Sequence, residues 1–202
     1  MRRVLLPVLV VALGAAPLAA QRDGGPGGLR EVNVRRGEGS GLWGSFALGW
    51  GREGFRFDSM TTYQSDFSAP TFTFKLGGTP SRYFRLGGEI SYWYSNEAQS
   101  DQTLSNFLFI AQWYPGAHPF YLKGGLGLVS NHQSGSDPVN GTYVYRDNGY
   151  GGVIGIGADI PVGRRLALSP ELNVYGQRYD NAGTSNDYRE RIVTFGLGIT
   201  FR

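Results

Sequence analysis

Few side chains of this chain could take part in catalysis. It has two histidines, His118 and His132, and no cysteine, which excludes cysteine nucleophiles, zinc–thiolate sites and disulfides. His132 and Ser134 have His-x-Ser spacing, but a serine hydrolase needs the histidine within about 3 Å of the hydroxyl and an acid that orients it. The nearest acids, Asp137 and Asp147, are not placed by any pattern. A polar loop histidine is the simpler interpretation, and no catalytic residue is assigned.

Metal and cofactor sites have no strong signature either. The stretch "YDNAGTSND" at 179–187 offers oxygen atoms to Ca²⁺ but lacks the regular spacing of a calcium loop. The glycines of "GGVIGIG" are similar to a phosphate-binding loop, but no helix follows them to supply free N–H groups. The sequence therefore predicts no metal and no cofactor.

The first residues form a segment of a different kind. Two arginines precede an apolar run that ends in the small residues Ala19 and Ala20, which is the layout of a secretory signal peptide over 1–20. The polar, glycine-rich residues 21–40 are predicted to be a flexible periplasmic leader. Without Arg2 and Arg3 the chain keeps 17 basic and 16 acidic residues, so its net charge falls from +3 to +1. This balance does not indicate a nucleic-acid partner.

From residue 41 onward, apolar residues recur at every second position. The last twelve residues, "RIVTFGLGITFR", alternate large apolar side chains with glycine and threonine between Val193 and Phe201. Such period-two runs are typical of β-strands. Eight are predicted, at about 41–52, 70–78, 82–95, 103–114, 119–130, 148–161, 165–177 and 191–202. The predicted fold class is all-β, an eight-stranded antiparallel up-and-down transmembrane β-barrel over 41–202.

The connections and the aromatic residues agree with a barrel that crosses a membrane. Short turns follow strands two, four and six, and longer polar connections follow the others, up to "NHQSGSDPVNGTYVYRD". Two belts of aromatic side chains are expected at the lipid–water interfaces. They are Trp50, Phe72, Tyr92 and Tyr94 near the outer strand ends, and Phe84, Trp113, Phe120 and Phe201 near the inner ends. A soluble lipocalin-like barrel is the alternative, but its outer face would carry more charges.

Two stretches, "PFYLKGGLGL" at 119–128 and "LALSPELNVY" at 166–175, resemble strands that follow periplasmic turns in small outer-membrane barrels. The C-terminal alternation that ends in Phe201 is similar to the signal read by the barrel-assembly machinery. The chain thus resembles the small eight-stranded outer-membrane β-barrel family, which includes the OmpA transmembrane domain and OmpX. The resemblance implies a Gram-negative outer membrane, with membrane lipids, lipopolysaccharide and the barrel-assembly machinery as partners. The outer loops would carry the contact with any extracellular ligand.

Six charged side chains are predicted to face the lumen, three of each sign: Lys75, Arg85, Glu89, Lys123, Asp159 and Glu171. The interior of an eight-stranded barrel is just wide enough to be filled by side chains. Because an unpaired ion there would cost several kcal/mol, the charges must pair. The balanced set predicts a salt-bridged plug rather than an ion-selective channel. Arg202, which is not in this set, is expected at the periplasmic headgroups.

These features predict a non-enzymatic outer-membrane protein with a structural or surface-interaction role. One alternative is a narrow porin-like channel for small solutes, although such a lumen would more often carry an excess of one charge. A second alternative is a lipid A-modifying hydrolase at the outer rim. His132 and Ser134 are similar in spacing to the His-x-Ser pair of the outer-membrane lipid A deacylases.

Overall fold

The computed structural model describes residues 41–57, 62–63, 67–97, 100–137, 141–179 and 188–202. The predicted signal peptide (1–20) and leader (21–40) lie outside these residues. The described chain is almost entirely β-structure, apart from a 3-10 turn at Pro115–Ala117. Its strands are β1 (Leu42–Phe57), β2 (Ser68–Ser81), β3 (Phe84–Glu97), β4 (Ser100–Trp113), β5 (Phe120–Asp137), β6 (Gly141–Ala158), β7 (Ile160–Pro161), β8 (Leu166–Tyr179) and β9 (Tyr188–Phe201). None of the described residues forms a helix long and apolar enough to cross a membrane.

Antiparallel pairing of neighbouring strands closes the sheet into a barrel. β1 pairs with both β2 and β9, and β6 pairs with both β5 and β8. Gly157 of β6 lies opposite Glu171 of β8. Three residues later, Ile160 of β7 lies opposite Leu168, so β7 continues β6 in the same register. The barrel therefore has eight strands, and the predicted up-and-down fold is confirmed.

Side chains alternate between a buried inner face and an exposed outer face. On the outer face, Phe109, Leu126 and Ile154 are 64%, 76% and 68% exposed. An apolar surface of this extent is not stable in water, whereas lipid chains can cover it. The inner face carries buried charged and amide side chains instead. The structure is therefore that of a membrane-spanning barrel, and the soluble lipocalin-like alternative, whose apolar side chains would face inward, is wrong.

The two ends of the barrel differ. At one end, called the turn end, the connections are the short segments 82–83, 114–119 and 162–165. At the other, called the loop end, the strands continue past the apolar band. Arg52 and Arg191 are exposed on the outer face there and mark the boundary of the band.

The prediction of a long polar loop after the fifth strand is wrong. β5 runs to Asp137 and β6 begins at Gly141, so most of the expected loop pairs as a hairpin. β3 and β4 likewise extend towards each other at the loop end. The reason is that a strand beyond the lipid meets water on its outer face. It then loses the alternation of apolar and polar residues by which a strand is recognised.

Two inward glycines let β2 and β3 approach closely. Gly77 lies opposite Gly87. A Cβ atom on residue 77 would stand 2.0 Å from the carbonyl oxygen of Leu86 and 2.6 Å from the Cα of Gly87. By contrast, a Cβ atom on the adjacent Gly78 would meet no atom within 4 Å. Glycine at 77 therefore permits a backbone contact that any other residue would force apart.

Gly77→Ala is expected to destabilise the barrel by about 1–3 kcal/mol, the usual cost of forcing extra volume into a packed site. The measurement is urea-induced unfolding of the refolded barrel in detergent micelles, followed by tryptophan fluorescence. Gly78→Ala is the matched control and should leave the unfolding midpoint unchanged. Equal midpoints for the two variants would contradict the proposed role of the Gly77–Gly87 contact.

Candidate functional site

The middle of the lumen holds two lysines and two glutamates, each from a different strand. Lys75 Nζ lies 2.5 Å from Glu171 Oε2, and Lys123 Nζ lies 2.6 Å from Glu89 Oε2. Lys123 Nζ also lies 3.6 Å from Glu171 Oε2, which connects the two pairs. All four residues are at most 3% exposed. These residues, which we call the central network, join β2, β3, β5 and β8 across the lumen.

Two tyrosine hydroxyls add to the central network. Tyr121 donates to Glu171 Oε2 at 3.1 Å, and Tyr175 donates to Glu89 Oε1 at 2.8 Å. A carboxylate can accept several hydrogen bonds, so these neutral donors stabilise its charge where water is excluded. Sequence reasoning did not assign the two tyrosines to the site. Their inward parity in β5 and β8 was the available signal.

A second group of charges lies nearer the turn end. Arg85 and Arg202 both donate to Asp159 Oδ2, at 2.6 Å and 3.0 Å. Tyr114 donates to the same oxygen at 3.0 Å, and Ser169 donates to Asp159 Oδ1 at 2.7 Å. Arg202 donates to the buried Asp159 carboxylate while its side chain stays 46% exposed, so its expected contact with the headgroups stays a prediction. These contacts bring the remaining two predicted lumen residues, Arg85 and Asp159, together.

The lumen holds two further acids that the sequence analysis missed. Glu53 and Glu190 are each 3% exposed and lie at the loop end. The prediction of three lumen charges of each sign is therefore wrong for the lumen as a whole. Continued alternation could have found both acids. Glu53 stands two positions after the buried Gly51, and Glu190 stands two positions before the buried Ile192.

Side chains fill the lumen between the central network and the loop end. Gln177 donates to Asn106 at 2.7 Å, and the Trp93 indole donates to the carbonyl of Gly51 at 3.2 Å. A cavity at this level measures about 10 Å³, roughly the space of one water molecule. Its lining includes Thr71, Ser91, Asn106 and Thr194. The lumen at this level therefore has no room for a file of hydrated ions.

The candidate hydrolase residues lie on β5 near the loop end, not in a loop. The side chains of His132 and Ser134 fall on the outer face, and Ser134 lies opposite Asp101 of β4. The predicted acid Asp147 instead accepts a hydrogen bond from Tyr188 at 2.8 Å, on the lumen side of the wall. Nδ1 of His132 is buried and has no hydrogen-bond partner within the described part of the chain. The histidine–acid contact that a hydrolase triad requires is thus not formed by these residues.

Asp101 is an acid on the same outer face that the sequence analysis did not consider. Its carboxylate accepts hydrogen bonds from Tyr94, at 3.2 Å, and from Asn96. The side chain of Asp137 lies outside the described residues. His118 is exposed beside the 3-10 turn at the opposite end of the barrel. The two histidines therefore do not form one site.

The eight predicted interface aromatics all lie on the outer face, in two groups. Near the loop end, Trp50 is 58% exposed, while Phe72 is partly covered by Phe46, with ring centroids 4.7 Å apart. Tyr92 and Tyr94 complete this group. The turn-end group consists of Phe84, Trp113, Phe120 and Phe201. The apolar band lies between the two groups, and their contact with headgroups stays a prediction.

Arginines lie on the outer face beyond the loop-end aromatics. Arg56 of β1 lies opposite Arg189 of β9, which in turn lies opposite Arg178 of β8. The ring of Tyr63 lies under the guanidinium groups of Arg56 and Arg191, with centroid distances of 5.1 Å and 4.7 Å. Like charges directly opposite in a sheet are destabilising unless they are compensated. We call the whole set the arginine row: Arg52, Arg56, Arg178, Arg189 and Arg191.

Glu171→Gln is expected to destabilise the barrel by about 3–5 kcal/mol, the usual cost of removing one partner from a buried ion pair. The variant leaves Lys75 and Lys123 with Glu89 as their one glutamate. In the double variant Lys75→Met/Glu171→Gln the positive and negative charges balance again. Most of the lost stability should therefore be recovered. Urea unfolding in micelles measures both, with the exposed Asp101→Asn as control. A double variant less stable than Glu171→Gln would contradict the pairing.

Comparison with known proteins supports the fold. Neither a protein-family model nor a curated protein matches the sequence. Ail of Yersinia pestis is 10% identical over 79% of this chain and 98% of its own, with a TM-score of 0.51. Ail in complex with the heparin analogue sucrose octasulfate is 12% identical over 79% of this chain and 99% of its own, with a TM-score of 0.52. Neisserial surface protein A is 13% identical over 80% of this chain and 98% of its own, with a TM-score of 0.52.

At these identities the likeness concerns the fold alone. The fold agrees with the lipid-compatible outer face and with the polar, filled lumen found in the chain itself. Together these observations identify the chain as a small eight-stranded barrel of the outer-membrane type.

Proposed function

We propose that this chain is a closed, non-conducting barrel of a bacterial outer membrane that acts through its outer surface rather than through its lumen. The observation that carries the proposal is the central network. Lys75, Glu89, Lys123 and Glu171 join opposite walls of the lumen with ion pairs of 2.5–3.6 Å. The turn end then faces the periplasm, and the loop end faces the cell exterior.

The energetics of the central network argue against the narrow channel. An ion that crosses the lumen would have to separate buried charges that have no water to replace their partners. The desolvation penalty is several kcal/mol for each such ion. The second charged group, around Asp159, adds another obstruction nearer the turn end. The polar lumen is therefore best explained as a support for the wall.

The outer surface offers a better candidate for interaction. The arginine row stands directly beyond the loop-end aromatics, at the level where the headgroups of the outer leaflet would lie. Arginine binds phosphate with two parallel hydrogen bonds, and such charge-assisted contacts are the strong ones. We therefore propose that the row binds phosphate groups of lipopolysaccharide. Ail, a barrel of the same fold, has been solved with an anionic heparin analogue.

The remaining partners follow from the location. The eight outward aromatics would contact the headgroup regions of the two leaflets, and the apolar band between them would contact lipid chains. Insertion would require the barrel-assembly machinery. No catalytic step is proposed, because no described acid orients His132.

Purified protein in planar lipid bilayers is expected to give no conductance steps above background, since the paired charges leave no continuous water path. A porin added afterwards to the same bilayer serves as the control and should give steps at once. Discrete steps from the protein alone, with a reproducible ion selectivity, would contradict the closed-lumen proposal.

The variant Arg56→Gln/Arg178→Gln/Arg189→Gln is expected to bind lipopolysaccharide more weakly, on the order of tenfold, because three charge-assisted contacts are lost. The thermal unfolding midpoint in micelles is measured as lipopolysaccharide is added. The quantity compared is the lipopolysaccharide concentration that gives half of the full increase. The matched control removes three arginines at the turn end: Arg82→Gln/Arg164→Gln/Arg165→Gln. Equal weakening in both triple variants would show a non-specific charge effect and contradict the site.

A further inference from the structure

The two acids at the loop end occupy a part of the lumen that the proposed function does not use. Glu53 follows Arg52, and Glu190 precedes Arg191, the two exposed arginines that mark the edge of the apolar band. Both glutamates point inward from adjacent strands, and they are diagonal neighbours because Glu53 lies opposite Ile192. They therefore lie beyond the membrane-spanning part of the barrel.

Several acceptor oxygens at this level lack hydrogen-bond partners. Oε2 of Glu53, Oε2 of Glu190 and Oδ1 of Asn131 are all buried without a partner in the described structure. Asn131 is 7% exposed and reaches across from β5, where its Nδ2 donates to Glu190 Oε1 at 3.0 Å. Three buried acceptor oxygens that lack a donor form an unfavourable arrangement unless a cation or a proton is present.

The groups around the glutamates do not supply a positive charge. Asp147 of β6 is a third acid, and its carboxylate accepts from Tyr188 of β9 at 2.8 Å. Tyr179 of β8 stacks on Tyr188, with ring centroids 4.8 Å apart. The arginines of β1, β8 and β9 fall on the outer face. The lumen lysines are held by the central network.

The protonation behaviour of the glutamates agrees with this geometry. Burial raises the pKa of Glu53 to about 7. Burial also raises the pKa of Glu190, and the negative charge of Glu53 raises it further. The charged forms are thus disfavoured in the folded state. Without a cation, the barrel should therefore lose stability as the pH rises through this range.

We infer that Glu53, Glu190 and Asn131 form a binding site for a divalent cation of the Ca²⁺ class. The donor atoms are all oxygens, two carboxylates and an amide carbonyl, which is the ligand chemistry that hard cations prefer. No group of three His, Cys, Asp or Glu side chains with metal-binding geometry occurs in the described residues. Asn131 would supply the third oxygen from the opposite side of the lumen by rotation of its amide, whose Nδ2 donates to Glu190 Oε1 in the structure.

The bound cation would join three strands at the loop end. Glu53, Glu190 and Asn131 come from β1, β9 and β5, so the ion would hold the exterior mouth of the barrel together. Because it binds the folded chain and not the unfolded one, it would raise stability by mass action. Calcium sites of extracellular modules bind with dissociation constants of about 10⁻⁴–10⁻³ M.

The experiment uses the refolded barrel in detergent free of lipopolysaccharide, so that lipid-bound calcium does not contribute. At about pH 8, millimolar Ca²⁺ is expected to raise the thermal unfolding midpoint by several degrees over EDTA. At about pH 5 the shift should disappear, because protons then occupy the carboxylates. An equal Ca²⁺ shift at both pH values, or no shift at either, would overturn the inference.

Glu53→Gln is the principal variant. It is expected to abolish the Ca²⁺ shift at about pH 8 while raising the midpoint measured in EDTA, because a neutral amide replaces a buried charge. Asp101→Asn, an exposed acid at the loop end, is the control and should keep the full shift. Heat-modifiable migration on gels verifies that each variant is folded. A Ca²⁺ shift that persists in Glu53→Gln would contradict the site.

Terbium gives a second readout that does not depend on stability. Tb³⁺ replaces Ca²⁺ at oxygen sites and luminesces when tyrosines nearby transfer energy to it. Tyr188 lies near Glu190, since Asn131 Nδ2 donates to both side chains, and Tyr179 stacks on Tyr188. We expect saturable Tb³⁺ luminescence that Ca²⁺ displaces and that Glu53→Gln and Glu190→Gln remove. Luminescence that is unchanged in both variants would place the ion elsewhere.

Discussion

Charge pairing in a lumen too narrow for bulk water is the interaction on which the rest of the barrel depends. An eight-stranded wall has no layer behind it, so its inner side chains must fill the space and satisfy one another. Lys75 and Lys123 do this by reaching Glu171 and Glu89 across the barrel. The same contacts join opposite walls of the barrel and place side chains across the lumen. The stability of the wall and the proposed absence of conduction would therefore follow from one arrangement.

The strict alternation of the strands separates two chemistries on the two faces of one sheet. The outer face can be apolar, as Leu126 and Ile154 show. The backbone N–H and C=O groups of the band are hydrogen-bonded between strands, and the polar side chains face the lumen. On β1, β8 and β9, arginines follow directly where the apolar band of the outer face ends. The proposed binding of lipopolysaccharide would therefore take place on the outer wall, away from the buried charges of the lumen.

The two ends of the lumen solve the problem of buried acids in different ways. Near the turn end, Asp159 receives two arginines, a tyrosine and a serine, so its charge is fully compensated. At the loop end, Glu53 and Glu190 receive no cation from the described chain, and their carboxylates keep unpartnered oxygens. Such an uncompensated pair raises the energy of the folded state unless something outside the chain completes it. This asymmetry is the reason for the cation site that we infer at the loop end.

The amino-acid sequence by itself determined the fold class, the number of strands and the face on which most side chains lie. Period-two alternation is a local property, so Lys75 could be assigned to the lumen without knowledge of its partner. Only the tertiary structure decided which charges meet. Lys75 and Glu171 are 96 residues apart, and Asp159 and Arg202 are 43 residues apart. The tertiary structure also decided where the strands end, and it placed Glu53 and Glu190 beside each other at the loop end. Beyond the lipid the alternation that locates a strand is lost, and register across the barrel depends on closure of the whole sheet.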